Sequence, residues 1–509
     1  MDARRAADRS LDRARSALLR GELQHAADHL AGALAFAPTL PETHELLSRL
    51  AARSGGGLEL FPLVQHAPVG RLVARAHLLA AAGHPEDGLP LLAAASGHAP
   101  SADWAGVPWV GEPALGVRIE PGVLVQVVMR LCTSVGDPAP AGVVAALRPY
   151  LSVVRHAVAA HPEHPMLLGA GSALARRLGE TALAVDWAAR GARVRPSKLA
   201  EIWLGYAYRS AGRLPEALAA LRRAVAHDPD DLSVYADIAG TLAENGRLDD
   251  ALSWIDRALE RDPEYDCAVH TAHRLRFRAD GDLAHLVRLA DFARDHPDES
   301  HEHTDLADCC RDVAWLSGTP AAPPLPRGNA PATAEPSADA VRRLRRVAAL
   351  SWQHPPAAYD TAVHLVLVPP PDLLALLAHP PADVAAAEVW ACLGLLHHGA
   401  EEQWLDSTRR RLLLDLLDGG LDRVTEAALF ALIVAAWIDP SARSDVAAVV
   451  TGRLNEMAAR PGARSVAELA LATPGLDATT RAMAAAMTTV PAIPRQRTRS
   501  RLLLRWRRS

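Results

Sequence analysis

Apolar residues recur every three or four positions through most of this chain, in paired stretches that a glycine separates. Prolines close successive pairs at intervals of 33 or 34 residues. They are Pro162, Pro196, Pro229, Pro263 and Pro297. Because a proline disfavours the helical conformation in the residue before it, each is expected to end a helix. The pattern therefore predicts a stack of helical hairpins, one for each period.

Residues 198–265 show the pattern most clearly. In the first unit of this region, the small residues Gly205, Ala217 and Ala224 allow two antiparallel helices to approach within about 8–10 Å. Gly212 stands where the first helix ends and a positive φ is favourable. The second unit repeats the same positions as Ala239, Ala251, Ala258 and Gly246.

These positions, together with Leu204 and Tyr208, resemble the tetratricopeptide repeat. The resemblance is clear over 165–265 and looser over 7–38, 69–100 and 266–297. In the last of these, His285 and Phe292 stand where small residues are expected. The resemblance implies a right-handed solenoid of helical hairpins, in which the first helix of each hairpin lines a concave binding face.

The remaining segments differ in composition from the hairpins. Residues 101–121 hold Trp104 and Trp109 among glycines and prolines, which predicts an ordered insert. The carboxy-terminal half again has helical periods, similar in length to HEAT-type repeats, at 382–398, 404–418, 422–438 and 441–459. We predict an all-α chain with hairpins at 1–100, the insert at 101–121, an array with a capping helix at 122–317, a Pro-rich linker at 318–338, a helical domain at 339–490 and an Arg-rich tail at 491–509.

The resemblance also implies which side chains line the groove. Mapped onto this chain, the groove positions are Arg176, Arg177, Tyr206, Arg209, Ser210, Asp237, Glu244, His270, Arg274, Phe277 and Arg278. Five of them are arginines. The planar guanidinium group of an arginine can form two parallel hydrogen bonds to one carboxylate or phosphate group. The groove is thus predicted to bind an acidic peptide or protein segment. The alternative is that these residues form solvated helix faces.

A single lysine, Lys198, excludes several kinds of chemistry. Phosphate loops of the Walker type and pyridoxal sites need a lysine in a defined motif, and Lys198 lies in none. No signature of a hydrolase or kinase accompanies it. We therefore predict a non-enzymatic interaction scaffold or adaptor without a cofactor. The alternatives are a regulator that responds to a peptide or small effector, and an unrecognised enzyme in the carboxy-terminal half.

A second cluster of chemically active side chains lies near residue 300. It consists of His296, His301, His303, Asp305, Cys309 and Cys310. On a helix that begins at Ser300, three of these groups share one stripe and form a partial ligand set for zinc. The alternative is a capping helix with a packed apolar face, and we predict that no metal binds here.

Charge is unevenly distributed along the chain. The net charge is −5, yet the last fifteen residues contain seven arginines, from Arg495 to Arg508, and no acid. This tail has three interpretations: contact with an anionic membrane or nucleic acid, contact with an acidic protein surface, or no role. The charged start of the chain and an apolar run of only twelve residues, Ala427 to Ile438, predict a soluble cytoplasmic protein.

Overall fold

A computed structural model describes residues 3–64, 67–296, 300–311, 313, 315, 335–418, 423–458 and 463–489. These residues form α-helices joined by turns and four short 3₁₀ segments, and no strand occurs among them. The all-α prediction is confirmed. The chain divides into two compact units, Met1–Ala258 and Leu259–Ser509.

The first unit consists of successive helices in which each hairpin packs against the next. The helices are α1 (Ala3–Arg20), α2 (Leu23–Phe36), α3 (Pro41–Arg53), α4 (Val69–Ala81), α5 (Pro85–His98), α6 (Pro108–Gly111), α7 (Pro113–Arg118), α8 (Pro121–Ser134), α9 (Ala141–Ala160), α10 (Pro165–Arg177), α11 (Thr181–Val194), α12 (Lys198–Ser210), α13 (Leu214–His227), α14 (Ser233–Glu244) and α15 (Leu248–Arg261). This nearest-neighbour packing is the arrangement of a helical-hairpin solenoid.

The helix ends follow the glycines and prolines of the sequence. Gly179, Gly212 and Gly246 have φ values of 79°, 69° and 72°, so each turn between paired helices uses the left-handed conformation that glycine adopts without strain. At the other end of each hairpin, α11 and α13 stop two residues before Pro196 and Pro229. The helix ends predicted from these glycines and prolines are therefore confirmed in the structure.

Small residues bring the paired helices into contact, as expected. Ala217 and Ala224 are fully buried, and a Cβ atom added at Gly205 lies 2.8 Å from the Leu221 side chain. Contacts between neighbouring hairpins are tighter still. A Cβ atom added at Gly169 on α10 lies 1.8 Å from the indole ring of Trp203 on α12. The ring packs directly on the glycine backbone.

The second unit surrounds one helix that is entirely apolar from Ala427 to Ile438. Its helices are α16 (Asp266–Asp280), α17 (Leu283–Asp295), α18 (Ser300–Cys310), α19 (Ala338–Ala348), α20 (Pro355–Ala362), α21 (Pro370–Ala378), α22 (Ala387–His397), α23 (Thr408–Leu417), α24 (Arg423–Ile438), α25 (Arg443–Met457), α26 (Ala463–Leu471) and α27 (Ala478–Thr489). All residues of α24 from Ala427 to Trp437 are buried. A helix that is hydrophobic on every side is stable only in such a core position.

The two compact units divide within α15, between Ala258 and Leu259. Hydrophobic packing favours this division, because Leu289 on α17 and Leu306 on α18 share one core with Trp437. The predicted domain bounds, with a linker at 318–338, stay a prediction. Residues 316–334 lie outside the described part of the chain. Within the predicted insert at 101–121, α6 and α7 form and Trp104 is fully buried.

Two segments of the described chain have the length and apolar composition that a membrane-spanning helix needs. α9 is long and apolar enough to cross a bilayer. The segments Pro355–Leu367 and Pro370–Ala378 are long and apolar enough only if the two are counted as one bent span. Half of the apolar window in α9 is buried inside the protein, and its Tyr150 side chain is fully buried. Core helices of soluble proteins have the same composition.

Candidate functional site

Tyr206 is the centre of the predicted groove residues in the first unit. Its hydroxyl group donates a 2.5 Å hydrogen bond from α12 to Asp237 Oδ2 on α14. The guanidinium carbons of Arg176 and Arg209 lie 5.1 Å and 5.6 Å from the centroid of its ring. Both distances are within the range of cation–π attraction. We call Arg176, Tyr206, Arg209, Asp237 and Glu244 the Tyr206 cluster.

An aspartate outside the predicted set forms ion pairs with two of the predicted arginines. Asp137 forms ion pairs with Arg176 and Arg177, the second with an N···O distance of 3.6 Å. The backbone supports this contact, since the amide of Ala139 donates a 2.9 Å hydrogen bond to the Arg177 carbonyl oxygen. Only 8% of the Arg176 side chain is exposed. The repeat pattern does not include Asp137, because it lies in the α8–α9 turn.

Arg209 is the more accessible cation of the cluster. A third of its side chain is exposed, and its Nε atom lies 3.7 Å from Glu244 Oε2, which is longer than a charge-assisted hydrogen bond. Glu244 itself is 56% exposed. Ser210, at the end of α12, is also exposed. This part of the predicted groove therefore presents one loosely paired guanidinium group beside an aromatic ring.

Burial determines the protonation behaviour of the cluster. Burial and the neighbouring Asp237 charge raise the pKa of Tyr206, so its hydroxyl group stays a hydrogen-bond donor. Burial also raises the pKa of Asp237, although the hydrogen bond from Tyr206 acts in the opposite direction. For Arg176, burial lowers the pKa. The cluster is a connected polar network around a fixed aromatic ring, with acids and bases interleaved.

The other predicted groove residues belong to the second unit. His270 Nδ1 lies 2.8 Å from Asp305 Oδ2, and Arg274 Nη1 donates a 2.9 Å hydrogen bond to Asp305 Oδ1. The side chains of His270 and Asp305 are buried. Phe277 packs against the hydrophobic core, whereas Arg278 is exposed. Two of these four residues thus serve a buried ion-pair cluster instead of an open surface.

Asp305 was also part of the candidate metal set near residue 300. Its two oxygen atoms contact His270 and Arg274. Cys309 and Cys310 are buried in the core, and burial raises the pKa of Cys309 to about 11, so both are packed as neutral thiols. No group of three or more metal-ligating side chains occurs in the described part of the chain. The side chains of His301 and His303 lie outside it.

Comparison with known proteins identifies the repeat. Residues 208–274 match the family model of the tetratricopeptide repeat, which confirms the predicted resemblance. A comparison with curated proteins gave no match.

Three solved structures of repeat proteins are similar to the chain. YrrB, a TPR protein with an unusual peptide-binding site, has 18% identity and a TM-score of 0.27, and the similarity covers 37% of this chain and 91% of YrrB. TTC0263, a thermophilic TPR protein of Thermus thermophilus, has 20% identity and a TM-score of 0.26, covering 40% and 97%. A tetratricopeptide repeat protein from Parabacteroides merdae has 11% identity and a TM-score of 0.32, covering 60% and 98%.

Proposed function

We propose that this tetratricopeptide repeat protein is a non-enzymatic, cytoplasmic interaction scaffold whose first unit binds an acidic peptide or protein segment at the Tyr206 cluster. Stacked helical hairpins provide preformed surfaces of the kind that bind protein or peptide segments. The single observation that carries the acidic preference is the position of Arg209, which stands over the Tyr206 ring with only a loose contact to Glu244.

A ligand carboxylate exchanges easily with Glu244. Exposed ion pairs contribute only about 0–1 kcal/mol, so displacement of Glu244 from Arg209 costs little. The guanidinium group then forms two hydrogen bonds to the incoming carboxylate, which are stronger than the 3.7 Å contact they replace. Tyr206 stays in place because its hydroxyl group is bound to Asp237. The site is therefore ordered before the ligand arrives.

The test is fluorescence anisotropy of the full chain with fluorescein-labelled octaglutamate, compared with octaglutamine. Because the arginines between Arg495 and Arg508 also attract polyglutamate, all proteins carry glutamine in place of those seven tail residues. Arg209→Glu is expected to weaken octaglutamate binding about tenfold, the effect of losing one charge-assisted bidentate contact. Arg222→Glu, an equal charge change at an exposed position on α13, is the control. Equal losses in both variants would leave only nonspecific attraction and refute the proposal.

A further inference from the structure

A cavity of about 680 Å³ lies within the second unit, beside the first residues of α17, α25 and α27. Small-molecule sites have volumes of roughly 300–1,000 Å³, so this cavity is large enough to hold one. Leu283, Val287 and Leu476 form an apolar part of its lining. None of the groove residues predicted from the repeat pattern lines it.

Two guanidinium groups in the lining have no partner in the described part of the chain. Among the described residues, the side chains of Arg288 on α17 and Arg481 on α27 form neither an ion pair nor a hydrogen bond. The third arginine, Arg443, differs, since its Nη1 atom donates a 2.9 Å hydrogen bond to Asp291 and its Nε atom a 3.0 Å bond to the Ala436 carbonyl oxygen. Arg443 is thus a structural residue, whereas the other two are available to an anion.

The acidic residues of the lining are already engaged by the protein. Asp282 Oδ1 accepts a 2.9 Å hydrogen bond from the Ala284 amide and so caps α17. Asp280 Oδ1 accepts a 2.8 Å bond from the Asp282 amide, and its Oδ2 atom lies 3.3 Å from His285 Nε2. These carboxylates do not neutralise the two free guanidinium groups. Their charge disfavours a ligand that carries two negative charges, so a monoanion fits this lining better than a phosphate dianion.

We propose that this cavity binds a small organic molecule with one carboxylate group, held by Arg288 and Arg481, and an apolar portion that packs on Leu283, Val287 and Leu476. Arg288 on α17 and Arg481 on α27 reach the same cavity from two different helices. The proposal does not rest on peptide binding at the Tyr206 cluster, so either proposal stands if the other fails.

Isothermal titration calorimetry of the full chain with 4-methylpentanoate tests the site. The neutral amide, 4-methylpentanamide, has the same apolar portion and serves as the matched ligand control, and inorganic phosphate is the competing anion. The acid is expected to bind and the amide to bind at least about tenfold more weakly, because the charge-assisted hydrogen bonds are lost. Equal binding of acid and amide would overturn the proposal, as would tighter binding of phosphate than of the acid.

Arginine variants locate the bound acid. The double variant Arg288→Gln/Arg481→Gln is expected to reduce affinity for the acid about tenfold, with an unchanged melting temperature because neither side chain forms an ion pair or a hydrogen bond within the described chain. The control is Arg222→Gln/Arg346→Gln, which makes the same charge change at two exposed positions away from the cavity. The proposal is overturned if the control loses as much affinity, if the double variant loses none, or if the acid shows no saturable binding at its solubility limit.

Discussion

His270 Nδ1 and Asp305 Oδ2 lie 2.8 Å apart although 35 residues separate them in the sequence. Burial alone would lower the pKa of His270, but the hydrogen bonds and charges of Asp305 and Cys267 raise it to about 9. The folded protein therefore holds a protonated histidine at a pH where an unfolded chain does not, since a free histidine has a pKa of about 6.5. Arg274 shares the same carboxylate.

This ion pair predicts a loss of stability on the alkaline side. Because the folded pKa of His270 is raised, its contribution is complete below about pH 6.5 and is lost as the pH rises to about 9. The loss is expected to be roughly 2–3 kcal/mol in the free energy of unfolding. Urea unfolding of the native chain and of His270→Gln at several pH values measures it. The variant should show a flatter profile between these limits, and parallel profiles would contradict the assignment.

Burial of His77 predicts the opposite pH dependence, a loss of stability on the acidic side. The Trp109 indole N–H donates a 3.1 Å hydrogen bond to His77 Nδ1, so the neutral ring carries its proton on Nε2, and burial lowers its pKa to about 3. A lowered histidine pKa destabilises the fold as the pH falls from about 6.5 towards 3. His77→Phe removes the titrating group and the buried, unpaired Nε2 atom. The variant should lose less melting temperature than the native chain between pH 7 and pH 4.5, measured by circular dichroism, and an equal loss would exclude His77 as the cause.

The turns, the helix ends and the small contact residues of the hairpins could be predicted from the sequence. Gly212 and Pro229 act through the backbone of their own and adjacent residues, so the turn after α12 and the end of α13 follow from residue type alone. The spacing of small residues such as Ala217 likewise depends only on helix geometry.

The sequence alone did not predict which charged side chains pair with one another. Asp137 and Arg176 belong to different hairpins, and no local pattern distinguishes this aspartate from other exposed acids. Asp305 was assigned to a candidate metal set, whereas its oxygen atoms contact two predicted groove residues, His270 and Arg274. The contacts of Asp305 depend on the packing of α16 against α18, which one-dimensional periodicity does not encode.

The contact between Gly169 and Trp203 predicts that added volume destabilises the first unit. An alanine in the middle of a helix normally gains about 1 kcal/mol over glycine. At Gly169 the new methyl group would lie 1.8 Å from a rigid indole ring, so the helices must separate, at a cost of about 1–3 kcal/mol or more. Gly169→Ala should lower the melting temperature. Gly32→Ala on α2, where the nearest atom is 3.6 Å away, is the matched control and should raise it or leave it unchanged; destabilisation by both variants would point to a general effect.

We predict that removal of the Glu244 charge tightens the binding of an acidic peptide. In the proposed function, an acidic ligand displaces the Glu244 carboxylate from Arg209, so Glu244→Gln should increase the affinity for octaglutamate about two- to fivefold, as expected for loss of one exposed competing ion pair. Anisotropy titration measures the change in the chain that lacks the tail arginines. Glu163→Gln, at an exposed position, changes the net charge equally and is expected to have a smaller effect. In an Arg209→Gln background the gain should disappear, because the competition is for that guanidinium group. A gain of the same size without Arg209 would show that Glu244 acts only through long-range repulsion.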